Sequence, residues 1–240
     1  MLTIFPCHPK IALVHNQTIR APDVFSHCKA TDAGSLQIPK SPMKRIAVQL
    51  SAYCLVMFLF CCHRETQHLP AGIFSYHFSL SNDSLLNFEV LKNNKASAFV
   101  FLAPDCPLSQ SYTLTLNKLH SQFGNAGVAL YGVVESSRYE RKEIDDFVTQ
   151  YRIDLPIVLD PHATLAQFFG AMVTPEVFVV NSEGNNIYQG AIDNWAPELG
   201  QHRTVITEHY LLDALNDFIR TGKVSVRTTK PVGCFIESGS

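Results

Sequence analysis

Apolar and polar positions alternate between two periods along the second half of the chain. Ala98-Phe99-Val100-Phe101-Leu102 is an unbroken apolar run, which predicts a short buried strand. Leu108, Tyr112, Leu116, Leu119 and Phe123 then recur at helical spacing, and Gly124-Asn125-Ala126-Gly127 stops that helix. Residues 127–134 predict a second buried strand. Residues 140–151 predict a helix that turns Ile144, Phe147, Val148 and Tyr151 inward. Pro156-Ile157-Val158-Leu159 predicts a short strand and Ala163 to Phe169 a short helix. Glu176 to Val180 and Ile187 to Ala191 predict a hairpin around Asn181-Ser182-Glu183-Gly184-Asn185. Glu208 to Thr221 predicts a last helix, with Leu211, Leu212, Leu215, Phe218 and Ile219 on one face. The alternation from Phe74 to Leu80 predicts an edge strand or hairpin within residues 72–91. Strand-helix-strand order implies a right-handed parallel crossover, and the later hairpin adds antiparallel strands. The expected class is α/β, with a mixed central sheet flanked by helices in three layers.

The N-terminal quarter reads differently. Met43-Lys44-Arg45 precedes an apolar stretch from Ile46 to Phe60, interrupted by Gln49 and Ser51. A positive start followed by an apolar core is the pattern of a secretory signal. Leu59-Phe60-Cys61-Cys62 is similar to a bacterial lipobox, with Cys62 as the lipidated residue; an uncleaved membrane anchor is the alternative. Both place the following residues outside the cytoplasm, in a bacterial periplasm or cell envelope, tethered to the membrane. Residues 1–42 carry Pro6, Pro9, Pro22, Pro39 and Pro42 without a sustained period, so they read as an upstream extension or a disordered tail. The expected organisation is 1–42 extension, 43–62 signal or anchor, 63–71 tether, 72–222 folded domain and 223–240 tail.

Net charge is −2, and the chain has no basic stripe, nucleic-acid motif or phosphate-binding Gly-rich loop. Nucleic acid is therefore not an expected partner. Of seven cysteines, Cys7, Cys28, Cys54, Cys61 and Cys62 precede the folded domain, which leaves Cys106 and Cys234.

Cys106 stands in Asp105-Cys106-Pro107-Leu108-Ser109, between the first strand and its helix. Free N–H groups and the helix dipole favour an anion there, which is how a thiol is made nucleophilic; the adjacent Asp105 works against this. A small apolar cysteine at a helix start is the plainer alternative. Ser109 has two roles open to it, donating to a thiolate or solvating the helix start. Thr174-Pro175 precedes the hairpin's first strand, a position compatible with a cis bond. Trp195 is the sole tryptophan, open to packing or to shaping a site rim.

With these pieces in order, residues 70–236 resemble the thioredoxin-like superfamily. The closest similarity is to its redoxin branch of alkyl hydroperoxide reductase/thiol-specific antioxidant type. The resemblance rests on Phe99 to Pro107, Thr174 to Val179, Tyr188 to Asp193 and Gly233-Cys234. It implies Cys106 as the nucleophile and Pro175 as the cis-proline facing it, with Pro107, Thr174 and Pro175 toward substrate. Two positions depart from the family. A dithiol oxidoreductase has Cys-x-x-Cys where this chain has Ser109, and a peroxiredoxin has Thr where it has Ala103. A tail that folds back would let Cys234 act as the resolving thiol; a static disulfide and an unpaired tail cysteine are the other options.

The expected function is that of an exported thiol-disulfide oxidoreductase that needs no cofactor and acts on protein or small-molecule disulfides and thiols. A thiol-dependent peroxidase is one alternative. Another is a non-catalytic binding module, or a copper-handling one in which His162 joins the two cysteines as soft-metal ligands. No resident metal is expected.

Overall fold

The structure, a computed structural model, describes residues 71–236. The chain divides into units 1–62 and 63–240, and the description concerns the second. The predicted extension, signal or anchor segment, Cys62 and tether therefore lie outside the described residues, apart from Ala71.

In chain order, a 3-10 turn at Ala71–Ser75 leads into β1 (His77–Ser79) and β2 (Leu85–Asn87), with a second 3-10 turn at Phe88–Asn93. Next come β3 (Ala96–Phe101), α1 (Pro107–Gly124), β4 (Val128–Val134), α2 (Arg141–Gln150), β5 (Ile157–Leu159) and α3 (Thr164–Phe169). The chain then forms β6 (Val173–Thr174), β7 (Glu176–Asn181), β8 (Asn186–Gly190), α4 (Tyr210–Thr221) and β9 (Cys234–Phe235).

The five-stranded central sheet has the order β5-β4-β3-β7-β8. Strands β3, β4 and β5 are parallel, while β7 runs antiparallel to both β3 and β8. This is the mixed sheet expected from the crossover and hairpin signals. The β1–β2 hairpin predicted within 72–91 forms, but as a two-stranded sheet of its own.

All six residues of β3 are buried because both faces of the sheet are covered. Alternation sends Ala96, Ala98, Val100 and Leu102 to one core with α1, α2 and α4; Phe99 and Phe101 enter the other with the N-terminal hairpin and α3. In the second core, Phe169 packs its ring centroid 5.3 Å from Phe99 and 5.1 Å from Phe178. Such aromatic contacts combine large buried area with defined geometry. The first turn of α3 is held by buried Asp160, whose carboxylate accepts from the N–H groups of Thr164, Leu165 and Ala166 at 2.8, 2.9 and 3.1 Å.

The tail after α4 carries no period, yet it is bound down along its length. The N–H of Gln189 donates to the Arg227 carbonyl at 2.9 Å, and that of Thr229 to the Gln189 carbonyl at 3.0 Å. Gly190, at φ +131°, lets the tail pass, since a Cβ there would collide with Thr229. The tail then crosses to β6 and pairs as β9, with Thr174 opposite Cys234 and Val173 opposite Phe235. The N–H of Ile236 extends this pairing by donating to the Met172 carbonyl at 2.9 Å.

Candidate active site

Cys106 is the N-cap of α1, an 18-residue helix with Pro107 in its first turn. Proline is suited to that place because its missing N–H would have had no helical partner. The Cys106 sulfur therefore sits at the positive end of the helix. The residue is 1% exposed, and its thiol donates to the Thr174 carbonyl at 3.1 Å. The Thr174-Pro175 bond is cis.

Burial alone would push the Cys106 thiol up. The Cys234 thiol, the Ser109 backbone amide, the Thr174 side chain and the Cys234 backbone amide favour the thiolate and together bring it below the ordinary thiol value. Cys234 moves the other way. Burial, its hydrogen bond to Cys106 and the charges of Cys106 and Asp105 push it up to about 12. Both cysteines are free thiols. The acidities of the two thiols are thus driven apart, and Cys106 is the first of the pair to ionise.

Ser109 serves neither of its two expected roles with its hydroxyl. It is fully buried, and its Oγ accepts from the Ala103 N–H at 3.1 Å, tying the loop before Cys106 to the helix. Its backbone amide, not its side chain, supports the sulfur. Asp105 turns to Tyr139, whose hydroxyl donates to its carboxylate at 2.6 Å. Pro107 is exposed, but Thr174 and Pro175 are buried, and β9 covers the edge of Thr174. The substrate-facing edge expected at Thr174-Pro175 is therefore already paired within the chain. Gly233 permits this contact, because a Cβ there would collide with the Thr174 backbone.

Two openings flank the cysteines. A cavity of about 250 Å³ borders both cysteines, with Phe101, Val133, Ala166 and Ile236 among its walls and Glu135 and Tyr139 alongside. A groove of about 260 Å³ borders Cys234 but not Cys106; Pro107, Leu108, Trp195, Leu199 and His202 line it. Trp195 takes both roles left open for it. It packs edge-on against Tyr112 at 5.5 Å and forms part of the groove wall. Behind it, buried Asp193 accepts from the Tyr112 hydroxyl at 2.6 Å and the Trp195 N–H at 2.8 Å.

Among the described residues, no group of three or more His, Cys, Asp or Glu side chains is placed to hold a metal ion. His162 thus does not join Cys106 and Cys234 as a ligand set, and the copper arrangement is not formed. No described helix is long and apolar enough to cross a membrane.

Sequence reasoning missed Tyr139 and Glu176. Glu176 is 7% exposed, and its carboxylate accepts from the N–H groups of Met172, at 2.9 Å, and Val173, at 3.4 Å. It anchors β6, the strand that meets both cysteines. A charged residue opening the apolar run Val177 to Val180 was the available signal.

Residues 77–188 match the AhpC/TSA family. Over those residues the chain is similar to the redoxins. The similarity extends to solved structures. A hypothetical protein from Sinorhizobium meliloti 1021 is 20% identical, with 73% of this chain and 100% of that one covered at a TM-score of 0.59. An uncharacterized conserved protein from Geobacillus kaustophilus is 19% identical, covering 72% of this chain and 94% of that one at 0.58. These likenesses are of fold. The bacterioferritin comigratory protein of Xanthomonas campestris, 22% identical, aligns over 52% of this chain and 86% of its own at 0.45. Comparison with curated proteins gives no match.

Proposed function

We propose that this chain is a thiol-disulfide oxidoreductase of the redoxin type that works outside the cytoplasm, with Cys106 as nucleophile and Cys234 as resolving thiol. One observation carries the reading: Cys234 lies opposite Thr174 on β9 and hydrogen-bonds Cys106, and the acidities of the two thiols are driven apart. The Cys106 thiolate attacks a substrate disulfide, forming a mixed disulfide and releasing one substrate thiolate. That step removes the Cys106 charge and its hydrogen bond, two of the causes that hold the Cys234 proton. Cys234 then ionises more readily and attacks the Cys106 sulfur. The second substrate thiolate leaves, and a Cys106–Cys234 disulfide remains.

Re-reduction by an external thiol begins at Cys234. It borders the outer groove, which Cys106 does not reach, and Cys106 is the better leaving group because its thiolate is the more stable. Export and membrane tethering rest on the Met43 to Cys62 pattern. The peroxidase alternative is less well served, because Ala103 brings no hydroxyl to the sulfur and the Ser109 hydroxyl is engaged with the Ala103 N–H.

The test is peptide mapping of the reduced full-length protein after a disulfide oxidant is added. A Cys106–Cys234 disulfide is expected in the native chain, and a mixed disulfide trapped on Cys106 in Cys234→Ser. Turnover with a dithiol donor separates an enzyme from a binding module. Stable adducts without turnover, or no Cys106 adduct at all, would overturn the proposal.

A further inference from the structure

An extended peptide reaches a protein most directly by adding to an open strand edge. The strand edge nearest the Cys106 sulfur is that of β6, where Thr174 provides the carbonyl that accepts from the thiol. That edge is occupied by β9 and continued by the hydrogen bond from Ile236 to Met172. A protein disulfide presented to Cys106 along β6 would have to lie where Cys234 lies. The other approach is the cavity, and it is small. Its volume, about 250 Å³, falls below the range of about 300–1,000 Å³ common for ligand pockets. Large disulfides do not fit inside it.

Charge narrows the class further. Asp105, Glu135 and Asp160 border the cavity against one cation, Arg138. Asp160 is compensated by three backbone N–H groups, and Asp105 accepts from Tyr139. The balance still disfavours a carboxylate-bearing substrate, while Phe101, Val133, Ala166 and Ile236 give an uncharged one apolar contact.

We infer that the oxidant of Cys106 is a low-molecular-weight, uncharged disulfide that enters through this cavity; the inference rests on the oxidoreductase reading above. The Cys106 thiolate attacks one substrate sulfur and the other leaves as a thiolate into the cavity. Cys234 borders the same space. Its thiol loses a proton to solvent and attacks Cys106, and the second substrate thiolate departs. One substrate disulfide becomes two thiols while the protein's two thiols become one disulfide.

Competing oxidants test this on the reduced full-length protein, with Cys106 loss followed by quenched alkylation and peptide mapping. Each rate is normalised to that of the same chain unfolded in denaturant. Hydroxyethyl disulfide is small and neutral, dithiodiglycolate is small and anionic, oxidised glutathione is larger and anionic, and insulin supplies a protein disulfide. Cumene hydroperoxide is a small neutral oxidant that is not a disulfide. The normalised rate for hydroxyethyl disulfide should lead the others by at least about tenfold, equivalent to roughly 1.4 kcal/mol in the barrier. Ala166→Leu, which narrows the cavity, should erase most of that lead while the native fold is retained by circular dichroism. Glu135→Lys at the cavity is the second variant, and it should raise the dithiodiglycolate rate selectively. Equal or faster normalised reaction of insulin, glutathione or the hydroperoxide overturns the inference, as does a lead untouched by both variants. If no oxidant yields a Cys106–Cys234 disulfide, the oxidoreductase reading falls first and the substrate class with it.

Discussion

Replacing Gly233 by alanine probes the contact on which the site depends. Its φ is not in the left-handed region, so the backbone accepts alanine and the perturbation is steric. The new Cβ would meet the carbonyl of Thr174, with its carbonyl carbon 2.6 Å away. Backbone cannot rotate aside as a side chain can, so β9 must move off β6. Overpacking of this kind costs about 1–3 kcal/mol. What holds β9 is of the same size: a two-residue pairing with β6 plus the Ile236–Met172 hydrogen bond, at about 0.5–1.5 kcal/mol net for each hydrogen bond. The tail upstream is tied separately to β8 through Gln189 and Thr229. Local release of β9 is therefore easier than unfolding of the sheet. The open population should rise by about 5–150-fold, the range equivalent to that penalty. Hydrogen exchange should speed up at residues 234–236 with little change in the β3 and β7 amides, and Cys106–Cys234 disulfide formation should slow as the closed fraction falls. Gly124→Ala is the control, since a Cβ there meets nothing within 4 Å. Unchanged exchange at 234–236 together with an unchanged disulfide rate would refute the steric argument. A fall in Tm matching the whole penalty would show instead that β9 belongs to the global folding unit.

Two further outcomes follow from the electrostatics. Iodoacetamide should alkylate Cys106 with a pH midpoint below the ordinary thiol range, and Cys234→Ala should raise that midpoint by removing a donor to the thiolate. A midpoint that does not move would exclude Cys234 as its support. The sign for stability is set by the same shift: a lowered folded-state value gives stabilisation present above the unfolded thiol pKa and lost as pH falls through the folded one. Glu176 has the opposite sign, since burial raises its carboxyl, so its contribution is full below the unfolded carboxyl pKa and lost as pH rises through the folded one. Glu176→Gln should consequently hold β6 at neutral pH without loss of stability. Glu176→Ala strands the Met172 N–H, costs about 1–3 kcal/mol and slows disulfide formation. Equal behaviour of the two variants in chemical denaturation and oxidation assays would rule out the anchoring role.

Much of the scaffold could be read locally. The apolar run of β3, the helical spacing of α1 and α2 and the turn between β7 and β8 appear in the sequence near their observed bounds, because each element carries its own period over several residues. Cys106 at a strand-to-helix junction and Pro175 before a strand were visible for the same reason. The last helix was legible as well, although it begins at Tyr210 and not at Glu208, where no side-chain cap marks the start.

The pieces that make a site of these elements have no local period. β6 and β9 are two residues each, too short for any alternation to register, and nothing in Lys230 to Ile236 states which edge the segment will cover. The buried Ser109 hydroxyl, the Tyr139–Asp105 pair and the Glu176 anchor depend on which loop packs against which. By itself the sequence determined the α/β scaffold and set a cysteine at the positive end of its first long helix. Only the tertiary structure decided that Cys234 would close over that cysteine. The pairing joins segments far apart in the chain, and its stabilisation comes from the partner's edge and not from the order of residues within either segment.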